Sequence, residues 1–129
     1  MTPPIFATVD VAPVQALLKT GNGPLRFYMF GRAPQLPTGQ PVYPYAVWQL
    51  ITGRPENYLG QRPDGDSLTV QIDVYATPAQ GSATARQVAQ ALRDALEGAC
   101  YITAWRGESV DPETNNFRFE VDCDWIVPR

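Results

Sequence analysis

The stretch FRFEVDCDWIV, residues 117–127, decides the fold class. Phe117, Phe119, Val121, Cys123, Trp125 and Val127 alternate with Arg118, Glu120, Asp122 and Asp124. Side chains on a strand point to opposite faces in turn, so this reads as a strand with one face in a core and the other toward water. A second segment repeats the pattern. In SLTVQIDVYA, residues 67–76, Leu68, Val70, Ile72 and Val74 point one way while Thr69, Gln71 and Asp73 point the other. One-sided strands of this kind belong to antiparallel sheets that leave a face open.

Between these two strands the apolar period changes from two to about 3.6. Ala85, Val88, Ala89, Leu92 and Leu96 form a stripe against Arg86, Gln90, Arg93 and Glu97, with Ser82 placed to cap the start and Gly98 to mark the stop. The segment CYITAW, residues 100–105, reads as a strand feeding a polar turn through Asp111, Pro112, Asn115 and Asn116. Upstream, DVAPVQALLKT, residues 10–20, reads as a first helix. Asp10 is placed to cap it, Pro13 lies early, and Val11, Val14, Leu17 and Leu18 share a face. LRFYMF, residues 25–30, and YAVWQLIT, residues 45–52, read as strands. Pro34, Pro37, Pro41 and Pro44 make the link between them an extended connector.

The predicted element order is α-β-β-β-α-β-β. It specifies an α+β fold: a mainly antiparallel sheet of about five strands with two helices packed on one face. The first three strands are joined by connectors too short or too rich in proline for crossover helices, which points to an antiparallel meander. A chain of 129 residues is expected to form one domain, 1–129, since folding at this size hides roughly two-thirds of the chain's surface in a single core.

Composition excludes several functions. The formal charge of −3 and the single lysine, Lys19, give no net electrostatic footprint for nucleic acid. No apolar run approaches the roughly 20 residues needed to span a bilayer, which points to a soluble protein made in a cytosol, with no membrane partner. There is no histidine, so the Ser/His and Cys/His nucleophile pairs and the usual zinc sets are absent. Cys100 and Cys123 are the only cysteines, expected to be buried and reduced, although neighbouring strands would allow them to pair.

Two groups of residues remain as candidate sites. Asp73, Glu120, Asp122 and Asp124 put four carboxylates on matching strand faces. Alternate residues on a strand lie roughly 7 Å apart, too far to share a hard cation easily, so a solvated face is expected there and not a metal site. The polar loop from Gly53 to Asp66 carries Arg54, Asn57, Tyr58 and Arg62. Arg and Tyr anchor protein contacts, and the flanking prolines reduce the entropy lost on docking, so these four residues are the expected interface. No catalytic residue, cofactor site or metal site is expected, and the chain is read as a non-enzyme.

PYAVWQLITGRPENYLGQRPDGDSLTVQIDVYA, residues 44–76, resembles the central block of the bacteriophage tail-completion or tail-terminator family. ATARQVAQALRDALEG, residues 83–98, is similar to that family's second helix. The resemblance implies a structural protein in the virion of a long-tailed phage, assembled in the host bacterial cytoplasm. Such proteins form a ring, generally a hexamer, at the head-proximal end of the tail tube. There they terminate tail polymerisation and join the tail to the head. The implied partners are further copies of the chain, the tail tube protein and the head–tail connector protein, with DNA passing through the lumen without specific binding. In such a ring the acids Asp73, Glu120, Asp122 and Asp124 are expected to line the lumen. A head-completion or connector protein is a related alternative. A small ligand-binding α+β domain, with a pocket between sheet and helices, is the alternative from another class.

Overall fold

The computed structural model describes residues 3–32, 42–55 and 65–128. Two antiparallel hairpins supply four of its strands. The first joins β2 (Tyr45–Pro55) to β3 (Gly65–Ala76), and the second joins β4 (Tyr101–Val110) to β5 (Phe117–Pro128). β3 and β5 pair along their whole length at the centre, and β1 (Phe27–Met29) lies parallel to β2. The sheet order is β1-β2-β3-β5-β4. The expected α+β architecture and element order therefore hold, with a mixed sheet.

The β1–β2 pair departs from the expected meander, because these two strands run parallel. A parallel neighbour requires the chain to travel back along the first strand before it pairs. β1 is only three residues long, roughly 10 Å, so the return that a parallel neighbour needs is short.

The helices gather on one side of the sheet. α3 (Ser82–Leu96) lies on β3, β4 and β5, and α1 (Ile5–Val9) and α2 (Ala12–Leu18) pack beside it. Ile5, Val14, Leu18, Val88, Leu92 and Leu96 meet Val70, Ile72, Val74, Phe119, Val121 and Trp125 in a single core cluster. Each of those six strand residues comes from the apolar set of the alternating pattern, so the strand register read from sequence is the one observed.

α1 is an addition to the two helices expected. Its five residues contain a single buried i,i+4 pair, Ile5 and Val9, too little to show a period. The caps also differ from expectation. Asp10 closes α1, its N–H bonding the Phe6 carbonyl, and its Oδ1 accepts from Gln15 Nε2 at 2.9 Å. Val11 takes the N-cap position of α2 and is 39 % exposed, so it does not join the apolar face. Ser82 is the first residue of α3, and its N-cap is Gly81, whose φ of +85° is a conformation that other residues rarely adopt.

The β4–β5 turn builds its own support. Asp111 accepts from the Glu113 N–H and the Thr114 hydroxyl, and Asn115 adopts φ 60°, which asparagine tolerates better than most residues. Asn116 then donates to the Tyr43 hydroxyl at 3.0 Å, tying the turn to the segment that enters β2. No helix among the described residues is long and apolar enough to cross a membrane.

Candidate functional site

The face of the sheet turned away from the helices carries the polar residues of β3 and β5. The register sets Thr69 against Asp124, Gln71 against Asp122, Asp73 against Glu120 and Tyr75 against Arg118. Directly opposed residues of an antiparallel pair share a face, so all four expected acids lie together on one surface. They do not stand as a row of free carboxylates.

Arg118 lies against Asp73 at 3.4 Å and against Glu120. Gln71 Nε2 donates to Asp73 Oδ1 at 3.1 Å and to Glu120 Oε1 at 3.3 Å, while the Thr69 hydroxyl donates to Asp124 Oδ1 at 2.8 Å. Arg106 arrives from the edge strand. Its Nε and Nη2 reach Asp122 Oδ2 at 2.9 and 2.8 Å, and its Nε stands 3.8 Å from Glu120 Oε2. The result is an ion-paired lattice of three carboxylates and two guanidiniums, with Asp124 beside it on the same face held by Thr69. Asp73 and Asp122 are each only 8 % exposed within it. The expected solvated face is therefore corrected at these two positions, because arginines lie over them and take the place of water.

Electrostatics follow from this packing. Burial opposes the charge on Arg118, but Asp73 and Glu120 outweigh it and its pKa stands above the ordinary value. Arg106 is shifted the same way, first by its hydrogen bond to Asp122 and then by that carboxylate's charge. Both guanidiniums are thus held by protein carboxylates. Asp122 Oδ1 and Arg118 Nε are buried and have no hydrogen-bond partner among the described residues.

Arg106 was not anticipated because its segment was not read as strand. β4 continues five residues past Trp105, and its pairing with β5 is irregular between Ile102 and Ala104 and again between Trp105 and Gly107. Such bulges turn a side chain away from its regular direction. The second irregularity passes through Arg106, directly before Gly107 at φ +85°, and the guanidinium falls on the polar face.

At the other end of the same face stands a group of tyrosines. Tyr45 stacks on Tyr75 with ring centroids 5.2 Å apart, and Tyr43 and Tyr28 tilt against Tyr45 at 5.1 and 6.2 Å. Burial raises the pKa of Tyr45 well above the phenolic norm and raises that of Tyr75, and the neighbouring Tyr43 and Asp73 respectively push in the same direction. Burial also raises Tyr28, partly offset by Arg26. Arg26 itself is buried and bonds the Pro44 carbonyl at 2.9 Å and the Thr20 hydroxyl at 2.7 Å, so it locks the start of β1 to the start of β2.

Of the expected loop interface, Asn57, Tyr58 and Arg62 lie outside the described residues. Arg54 is described by its backbone alone, which pairs with Ser67 near the end of β2. Among the described residues no group of three or more His, Cys, Asp or Glu is placed to hold a metal ion.

The described helices thus cover one side of the sheet, and the ion-paired polar face occupies the other. The profile of the family described as Tail completion protein gp17 matches residues 9–128. The chain belongs to this tail completion family. Membership gives it a structural role in a bacteriophage tail, and the match takes in α2, α3, all five strands and every residue of the lattice. No curated protein matches the chain.

Proposed function

We propose that this tail completion protein assembles with its own copies into a ring at the head-proximal end of the tail tube, ends tube growth and joins the tail to the head connector. The observation that carries this reading is the family match across residues 9–128. Its work is assembly and not catalysis, its place is the virion tail, and assembly occurs in the bacterial cytoplasm. Contacts run through the loop bearing Arg54, Asn57, Tyr58 and Arg62 to the tail tube protein, the connector protein or the next copy.

In this reading the polar faces of β3 and β5 turn toward the lumen. Four carboxylates there face two guanidiniums, so the wall keeps an excess of negative charge that repels phosphate. The arginines do not offset this by binding DNA, since capture of phosphate requires a cation free to displace the counterions condensed on DNA, and both are already paired. DNA then passes without specific contacts.

Light scattering at high protein concentration and electron microscopy of assembled tails test the ring, and a strict monomer in both settings would reject it. The orientation has a separate test. Asp124→Lys, at the part-buried acid of this face that Thr69 and not an arginine holds, should leave the fold intact and slow DNA ejection from assembled particles. Normal ejection kinetics from particles that contain the variant would reject the electrostatic role.

A further inference from the structure

The two cysteines lie on the helix-facing side of the sheet, away from the polar lattice. Cys123 is wholly buried at the centre of β5, and Cys100 is 9 % exposed where the chain leaves α3 for β4. Register places them one step apart. Tyr101 pairs with Asp124 and Ile102 with Cys123, so Cys100 stands diagonally across from Cys123 on the same face. Both thiols are free, and they are near enough for each to influence the other's titration. Cys100 Sγ also points at the Leu96 carbonyl, at 3.5 Å.

One of the two is reachable from solvent. A cavity of about 190 Å³ opens at the α3–β4 joint, lined by Glu97, Gly98, Ala99, Cys100 and Tyr101. From this geometry we infer that Cys100 and Cys123 form an oxidisable dithiol, which a small disulfide entering at that joint converts into an internal cross-link between the α3–β4 joint and β5.

The chemistry balances in two exchanges. Cys100 Sγ, as thiolate, attacks one sulfur of the small disulfide. One small thiolate leaves and takes the proton that Cys100 gave up, and a mixed disulfide remains on Cys100. Cys123 Sγ then attacks Cys100 Sγ and passes its proton to the second departing thiolate. Two protein thiols have become one disulfide, and one small disulfide has become two thiols. The order of attack follows from environment. Cys100 borders the cavity whereas Cys123 is wholly buried, so the thiol beside the cavity is the one that meets the small disulfide first.

The bond closes the loop that runs from residue 100 to residue 123 and pins the end of α3 to the middle of the sheet. A closed loop of this length removes conformations from the unfolded chain and raises Tm by about 10 °C in a domain of this size. A subunit made reduced inside a cell and carried in a particle outside it meets that change of environment once. This use rests on the tail reading above, whereas the thiol chemistry concerns the isolated subunit and fails or succeeds separately from the ring.

The experiment treats the reduced full-length protein with oxidised glutathione under native conditions, followed by free-thiol counting, intact mass and thermal melting. The expected result is loss of both thiols, a mass lower by two hydrogens with no glutathione attached, migration as a monomer without reductant, and the rise in Tm. In Cys123→Ala the glutathione should stay on Cys100 as a stable mixed disulfide. Retention of both thiols by the folded wild-type protein, a lasting glutathione adduct on it, cross-linked dimers, or an unchanged or lower Tm after oxidation would each overturn the inference. The wild-type measurements decide the matter even if the variant does not fold.

Discussion

The two faces of one sheet are built from alternate residues of the same strands, yet they are held by different physics. On the helix side Val70, Ile72, Val121 and Trp125 are packed by side chains that need only be apolar and of suitable size. On the open side Asp73, Glu120 and Asp122 are held by partners that must carry the opposite charge at a defined position, and one of these arrives from a bulged edge strand. A core face is forgiving of identity and unforgiving of volume. A buried ionic face is the reverse, because removing or inverting one partner strands the others away from water.

The largest expected effect is on the helix side. Trp125→Ala removes a large buried side chain between β5 and the helices and should lower stability by about 3–5 kcal/mol, measured by thermal or denaturant unfolding. A nearly unchanged melting temperature would break the comparison at its firmer half.

Charge inversion on the open side should come next. Asp122→Lys sets an ammonium beside Arg106 at a position that is 8 % exposed, and should cost about 2–3 kcal/mol. Asp124→Lys, which loses the Thr69 hydrogen bond at a part-buried site, should cost about 1 kcal/mol. If both variants melt alike, the polar face does not distinguish its buried acids from its open ones.

The tyrosines sharpen the same face by pH. Folding raises the pKa of Tyr28, Tyr45 and Tyr75 above the ordinary 10.0, so the neutral phenol is favoured in the native state. Their contribution is complete below pH 10 and is lost as pH climbs from there toward the folded pKa values. A fully shifted group loses ~1.4 kcal/mol per pH unit. These rings keep contact with solvent, so at most ~1 kcal/mol per unit each is expected. Urea unfolding at stepwise higher pH should show the decline, and Tyr45→Phe should flatten it.

The smallest effect belongs to the rim. Arg86 pairs with Glu108 between α3 and β4 with both side chains well exposed, and Arg86→Ala should change stability by less than about 1 kcal/mol. A larger loss would mean that the α3–β4 edge is as demanding as the polar face.

How much of this was legible follows from the range of the forces involved. Alternation over residues 67–76 and 117–127 and the stripe from Ala85 to Leu96 are local properties of the chain. They were enough to give the core residues, the α+β class and the placement of the four acids on one face. The parallel course of β1 was not readable, since a three-residue strand takes its direction from whatever neighbour the folded sheet offers. The caps at Asp10 and Ser82 were misplaced by one residue each, because Val11 and Gly81 hold the backbone angles that a helix start needs without contributing a side-chain bond.

The sequence by itself therefore determined which residues lie inside, because burial of apolar surface depends on period and not on partner. It also placed the chain with the tail completion proteins through the block from residue 44 to residue 98, within the matched span. Only the tertiary structure decided that the acidic face is paved and partly buried. Arg106 reaches Asp122 across 16 positions through two irregularities in β4, and Gln71 reaches Glu120 across 49. Which charges meet is settled by strand order, register and bulges together, and these exist only once the whole sheet has closed.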